Sequence, residues 1–250
     1  MTRLTGAVVA ISLLIMGTLP TLSQATYVTV DMSGSANHGF NWDYPVNPPN
    51  MLGGIPFNFG NDYKFYDFAT TPSVTSVTFN TSFNIQDSLT AYLLLNTAWG
   101  SPNFTAGRVS FLTSSQQQFG FDLIGGTNIR DWNQHTYVNT VSDPNSKEVF
   151  SVGYVLIDQI PRSSQGRIDM LTVELPASFI GDSLAAIQFD DFGTNNFSRL
   201  RVEGITFGFG NESESGSLDP AAAPVPEPAT VVLLGVGLAT AGIVLRRARG

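Results

Sequence analysis

Apolar and polar residues alternate along much of this 250-residue chain. The alternation has period two, the pattern of a strand with one face buried. Thr26-Tyr-Val-Thr-Val-Asp-Met32 alternates and is β-branched, which predicts a first strand. Val74 to Ile85 alternates again and puts Val77, Phe79 and Phe83 at core positions. Leu89 to Thr97 is apolar almost without a break, as expected of a central strand. Gly107 to Thr113 and Gln117 to Leu123 flank a polar turn at Ser114-Ser115 and predict a hairpin. Val149 to Ile160 sets Val149, Ser151, Gly153 and Val155 against Phe150, Val152, Tyr154 and Leu156. Ile168 to Leu175, Leu184 to Phe189 and Leu200 to Phe209 complete the set.

Ser33 to Asn61 is a long Gly/Pro/Asn segment holding Phe40-Asn-Trp42-Asp-Tyr44, whose alternation puts three aromatics on one side of an extended stretch. No stretch between residues 26 and 210 has a convincing helical period. Short strands separated by turn signals predict an all-β fold over 26–210, an antiparallel β-sandwich of the jelly-roll kind.

The two ends follow other rules. Met1 to Ala25 has Arg3, then an apolar run from Ala7 to Leu19, then Ser23-Gln24-Ala25 with small residues where a signal peptidase reads. It predicts a secretory signal peptide cleaved after Ala25, with the Sec translocon and signal peptidase as partners. At the other end, 211–224 is rich in Ser, Glu, Pro and Ala and predicts a flexible linker. Ala229 to Leu245 carries no charge and, as a helix, would rise roughly 26 Å, just short of a hydrocarbon core of about 30 Å. Pro226 and Pro228 mark its start. Arg246, Arg247 and Arg249 follow it and put the C-terminus in the cytoplasm, with 26–210 on the other side of the membrane. The alternative is a core helix of the globule, which need not follow a Pro-rich linker or end in arginines.

Pro226-Glu227-Pro228, the apolar span and Arg246-Arg247 resemble the PEP-CTERM sorting signal of Gram-negative bacteria. The resemblance covers 225–250. It implies processing near Pro226-Glu227-Pro228 by a membrane-embedded cysteine transpeptidase, exosortase. It also implies export beyond the inner membrane to the cell surface or extracellular matrix, often in organisms that make extracellular polysaccharide.

A second resemblance lies in the body. Val30-Asp-Met-Ser-Gly34, Gly54-Ile-Pro-Phe57, Ala91 to Gly100, Asn128-Ile-Arg-Asp-Trp132 and Leu200 to Phe207 look like the jelly-roll modules appended to some bacterial glycoside hydrolases. It implies the fold and a glycan connection, and no particular binding residue.

Charge narrows the function classes. The chain has 12 Lys and Arg against 20 Asp and Glu, a net charge of −8, and four of the basic residues sit in the end segments. The body is therefore the more acidic part and repels nucleic acid. Without cysteine there is no disulfide, thiol chemistry or Cys-ligated zinc, and the core alone or a metal must hold the domain.

Candidate chemistry is sparse. His38 and His135 are the only histidines, and with Asp43 nearby in sequence they could form a metal or acid–base site if the fold joined them. Asp31, Asp190 and Asp191 could supply hard oxygen ligands to Ca²⁺ if the first strand lies beside the last; the alternative is that Asp190-Asp191 caps a turn. Trp42, Tyr44, Trp99 and Trp132 could form a platform for sugar rings, or could be core. Arg130-Asp131 is expected to pair locally. Nothing in the spacing argues for the paired carboxylates of a glycoside hydrolase or for the regular Thr array of an ice-binding face. The sequence thus predicts an exported, non-enzymatic surface or matrix protein associated with exopolysaccharide; the alternative is a calcium-assisted carbohydrate-binding module with a defined sugar site.

Overall fold

The computed structural model describes residues 26–133, 140–194 and 197–210. The chain divides into two units, 1–210 and 211–250. The expected signal peptide with Ala25, His135, the linker, the 229–245 span and the sorting motif lie outside the described residues.

The described part is an antiparallel β-sandwich. In chain order it contains β1 (Thr26–Thr29), β2 (His38–Gly39), the single helical turn α1 (Phe40–Asp43), β3 (Met51–Leu52), β4 (Ile55–Pro56) and β5 (Lys64–Asp67). Then come β6 (Ser76–Asn84), β7 (Leu89–Ala98), β8 (Thr105–Thr113), β9 (Gln118–Ile124) and β10 (Ser146–Val152). The last five are β11 (Val155–Ile157), β12 (Ile160–Arg162), β13 (Gly166–Glu174), β14 (Ser183–Asp191) and β15 (Arg199–Phe209).

One sheet runs β10-β13-β7-β15-β5-β2, the other β6-β14-β8-β9. The long β15 is the axis of the first. It pairs with β7 along its length, while β1 covers its second half and β5 its first. The first and last strands of the body are therefore neighbours. Two hairpins, β3-β4 and β11-β12, stand apart from both sheets.

β15 is buried on both faces. After a bulge between Val202 and Gly204, Phe207 points at the second sheet, where its ring meets Phe83 at 5.1 Å and Phe111 at 6.3 Å. The sheets approach so closely that a Cβ on Gly107 would sit 2.4 Å from the Leu200 side chain. The opposite face of β15 carries Arg201, Gly204 and Thr206, and the 33–61 segment folds over it. A Cβ on Gly204 would come within 2.9 Å of Phe57, and the Thr206 hydroxyl donates to the Pro56 carbonyl at 2.6 Å.

Two expectations are corrected. The Phe40-to-Tyr44 stretch is a helical turn, closed by Tyr44 N donating to Phe40 O at 2.8 Å. Four residues around a turn return to nearly the same face, so Phe40 and Tyr44 point inward together and Trp42 points out. Aromatics two apart fit a strand, and the same residues four apart fit a turn; burial of Phe40 and Tyr44 decided between them. Likewise Val149 to Ile160 is not one strand. It breaks into the end of β10 and a hairpin whose two-residue turn, Asp158-Gln159, has both φ positive.

Candidate functional site

The outer face of β15 holds a buried charge cluster that alternation alone does not signal. Arg201 is almost fully buried, and its guanidinium carbon lies 4.6 Å from the Phe65 ring centre and 4.5 Å from that of Trp132. The planar cation is flanked by two aromatic rings. Its Nη2 donates to Asp43 Oδ2 at 2.8 Å, and its Nε lies 3.3 Å from Glu203 Oε1, an ion-pair contact too poorly aligned for a hydrogen bond. Burial alone would lower the Arg201 pKa, but Asp43, Tyr44 and Glu203 outweigh it, so it remains charged. Asp43 also meets His38 Nε2 at 2.9 Å. Burial pushes Asp43 up, yet Arg201 and His38 together hold it below the ordinary aspartate value.

Glu203 behaves differently. It is fully buried, and burial pushes it up to about 8 despite Arg201. The Tyr44 hydroxyl lies 3.0 Å from the Arg167 carbonyl and 3.2 Å from Glu203 Oε1. A phenol has one proton to give. The Tyr44 hydroxyl points its proton at both, sharing it between the Arg167 carbonyl and Glu203 Oε1.

A second cluster adjoins the first. Arg130 grips Asp169 with two donors, Nε to Oδ2 at 2.6 Å and Nη2 to Oδ1 at 2.7 Å, and reaches Glu148 at 3.1 Å. Asn96 donates to the same Asp169 at 3.1 Å. Asp131 accepts from the backbone N–H groups of Gly100 at 2.9 Å and Asn133 at 2.7 Å. Burial nevertheless lifts it to about 6. Arg130 and Asp131 thus serve separate local structures and do not pair with each other in the contacts described.

Could this region hold a metal? His38, Asp43 and Asp67 bring ligand atoms within 4.8 Å of one another. Their chemistry fits a cation poorly. Asp43 Oδ2 already meets His38 and Arg201, and Asp67 accepts from Ala69 N at 2.7 Å to cap a 3₁₀ turn. Arg201 supplies the positive charge that a metal would bring.

The three aspartates expected at a calcium site are not brought together. Asp31 follows β1 of the first sheet, binds Ser33 N at 2.9 Å and lines a shallow groove with Asn58, Asp62 and Lys64. Asp190 and Asp191 end β14 of the second sheet as consecutive strand residues, whose side chains leave opposite faces. Asp190 accepts from Gln188 at 2.8 Å. Asp191 is buried, accepts from Leu200 N at 2.7 Å and sits 2.7 Å from Arg199 Nε; burial lifts it to about 6. The first strand does lie beside the last, but neither Asp190 nor Asp191 is on the last.

The expected aromatic platform also divides. Tyr44 and Trp132 are buried, Tyr44 on the inward side of the helical turn and Trp132 against Arg201. They are core, and the buried cation explains why: it needs ring faces on both sides. Trp42 and Trp99 are exposed, at 48 % and 45 %. Trp42 packs edge-on against His38 at 4.9 Å. Trp99 faces Phe197 at 5.9 Å with the ring planes 47° apart. Arg201, Glu203 and Phe65 were missed in the sequence. The run Arg199-Leu-Arg-Val-Glu203 alternates charged with apolar, which reads as a half-exposed strand.

Residues 224–249 match the family model of the PEP-CTERM protein-sorting motif. The chain carries a PEP-CTERM sorting tail. Pro226, Glu227, Pro228, Arg246 and Arg247 all fall inside the match. The tail marks an exported protein that uses the general secretion pathway, is processed by exosortase and is delivered to the cell envelope or surface. No curated protein matches the chain. Among the described residues no helix is long and apolar enough to cross a membrane.

Proposed function

We propose that the protein is a non-enzymatic component of the cell surface or extracellular matrix that associates with exopolysaccharide. A signal peptide ending at Ala25 starts its export, the apolar span 229–245 holds it in the inner membrane, and cutting near Pro226-Glu227-Pro228 frees the body from that span. The observation that carries this reading is the sorting match at 224–249 beside an exported all-β body. The non-enzymatic part is supported by where the acids are. Asp43, Asp131, Asp169, Asp191 and Glu203 each face a cation, an amide or a phenol inside the fold. Groups committed in this way are poorly placed to act on a substrate.

A second reading, a carbohydrate-binding module with a defined sugar site, is favoured by the exposed Trp99 ring. Its calcium-assisted form finds little support in the separation of Asp31 from Asp190 and Asp191.

The test is fractionation of producing cells and of a strain that makes no exopolysaccharide. The mature protein should stay with the polysaccharide in the first and appear in the medium or a loose surface wash in the second. Equal distribution in both strains overturns the polysaccharide association.

A further inference from the structure

Two connections leave the same end of the sandwich. β7 and β15 are paired at Ala98 and Arg199, and β14 and β8 at Asp191 and Gly107. The 99–104 connection therefore crosses from the first sheet to the second, and 192–198 crosses back. Between them they carry Trp99, Phe104, Phe192 and Phe197. That is four of the eleven exposed large hydrophobic side chains among the described residues, gathered into thirteen positions. Scattered exposure needs no explanation, whereas this concentration does.

The described residues of both loops are tied down by hydrogen bonds. Ser198 N donates to Trp99 O at 3.0 Å, Ser101 N to Ser198 Oγ at 3.0 Å, and Phe192 N to Ala106 O at 2.8 Å. Trp99, Asn103 and Ser198 have left-handed φ values of 52°, 58° and 54°. Such a conformation costs an L-residue of this kind roughly 1–2 kcal/mol and persists only where neighbours enforce it. Here the buried Asp131 takes the Gly100 N–H and fixes the backbone just after Trp99.

We propose that this edge, with the Trp99 and Phe197 rings at its centre, is a stacking platform for a neutral polysaccharide. The chemistry of the two loops selects that class. Neither contains an Asp, Glu, Lys or Arg, although the chain as a whole carries a net charge of −8. Rings offer faces to the C–H side of a sugar, and Ser101, Asn103 and Thr194 offer hydroxyl and amide groups to its hydroxyls. A polyanion finds no cation here. Loops that enter a membrane surface ordinarily pair their aromatics with basic residues that meet anionic lipid, and these have none. The proposal rests on the polysaccharide reading above and assigns it a place.

The experiment is affinity electrophoresis under native conditions. It uses mature protein recovered from cells expressing the full chain. The gels contain dextran, laminarin, hydroxyethylcellulose, alginate as an anionic control, or the producing cells' own neutral polysaccharide. At least one neutral gel should retard the wild type. Trp99→Ala and Phe197→Ala should each bind about tenfold more weakly or worse, Trp99→Phe should keep most of the affinity, and Trp42→Ala should migrate as wild type. Should Trp99→Ala misfold, Phe197→Ala alone carries the test, since that ring is half exposed. A wild type and both alanine variants retarded alike would overturn the platform and leave the polysaccharide reading standing. A wild type retarded only by alginate would overturn the platform and leave the polysaccharide reading standing, and a wild type retarded by no gel would overturn both. Binding to vesicles of phosphatidylethanolamine and phosphatidylglycerol, lost in Trp99→Ala without any gel retardation, would overturn the platform in favour of a membrane contact.

Discussion

The two faces of β15 are both buried and are held together in opposite ways. Toward the second sheet, Leu200, Val202, Ile205 and Phe207 join an aromatic and aliphatic core that includes Phe79, Phe111 and Phe189. Toward the 33–61 segment, Arg201 and Glu203 form a charge cluster roofed by Phe65, Trp132 and Tyr44. The first face gains from removing apolar area from water, a force without direction. The second must recover a large desolvation cost through directed contacts, so it demands particular partners. A sandwich can therefore carry a uniform interior and still fix the path of a long Gly- and Pro-rich segment by a single buried cation.

The largest effect should come from breaking the charged face. Arg201→Leu leaves Asp43 without its guanidinium and should cost about 3–5 kcal/mol in urea unfolding. Adding Glu203→Leu should cost less than its own single effect, because the contact between the two side chains has already been lost. Strict additivity would show that Arg201 and Glu203 do not act as a unit. On the other face, Phe207→Ala should cost a similar amount, about 3–5 kcal/mol, through a cavity. That penalty should be the same at pH 5 and pH 8, which separates the two faces experimentally.

Acidity sharpens the contrast further. Glu203 at about 8, and Asp131 and Asp191 at about 6, all lie above their unfolded values. The folded state then binds more protons than the unfolded one from about pH 4 to pH 8, and stability falls as pH rises through that window. Asp43, shifted down, acts in the opposite sense: its contribution is present at neutral pH and is lost as pH falls below the ordinary aspartate range. The thermal midpoint should therefore be higher at pH 5 than at pH 8 by at least about 2 °C, the shift expected from 1 kcal/mol in a domain of this size. Glu203→Gln, which cannot ionise, should flatten much of that slope. A midpoint that rises from pH 5 to pH 8 would contradict the assignment.

The smallest effect belongs to an ion pair in the open. Arg108 Nη1 meets Asp122 at 2.7 Å between β8 and β9, with both side chains nearly half exposed. Asp122→Asn should cost less than about 1 kcal/mol, and raising the salt concentration should remove most of that. A penalty as large as that of Arg201→Leu would mean that burial is not what makes the inner cluster matter.

These contrasts also explain what could be read from the chain. Period-two alternation found the sandwich because one apolar face per strand is what it reports: β6, β8, β14 and β15 lie where Phe79, Phe111, Phe189 and Phe207 put them. It could not show that β15 buries charge on its second face, since Arg199-Leu-Arg-Val-Glu203 looks like an ordinary surface strand. β5, only four residues long, carries too little pattern to stand out. Among the tryptophans, Trp99 and Trp132 both lie outside the strands and have opposite fates. Trp132 is covered because Arg201, nearly seventy positions away, needs its ring, and no local signal carries that information. The sorting tail is the reverse case. It is read linearly, as Pro-Glu-Pro, an uncharged span and arginines, so its meaning survives without any tertiary contact.

The account depends most on that tail being an address that is removed on delivery. Terminal peptide mapping by mass spectrometry of the protein recovered from the cell surface tests this directly. The account predicts a chain that begins at Thr26 and ends at or just before Pro226-Glu227-Pro228. A surface protein still carrying Ala229 to Leu245 and the arginines through Arg249 would contradict it.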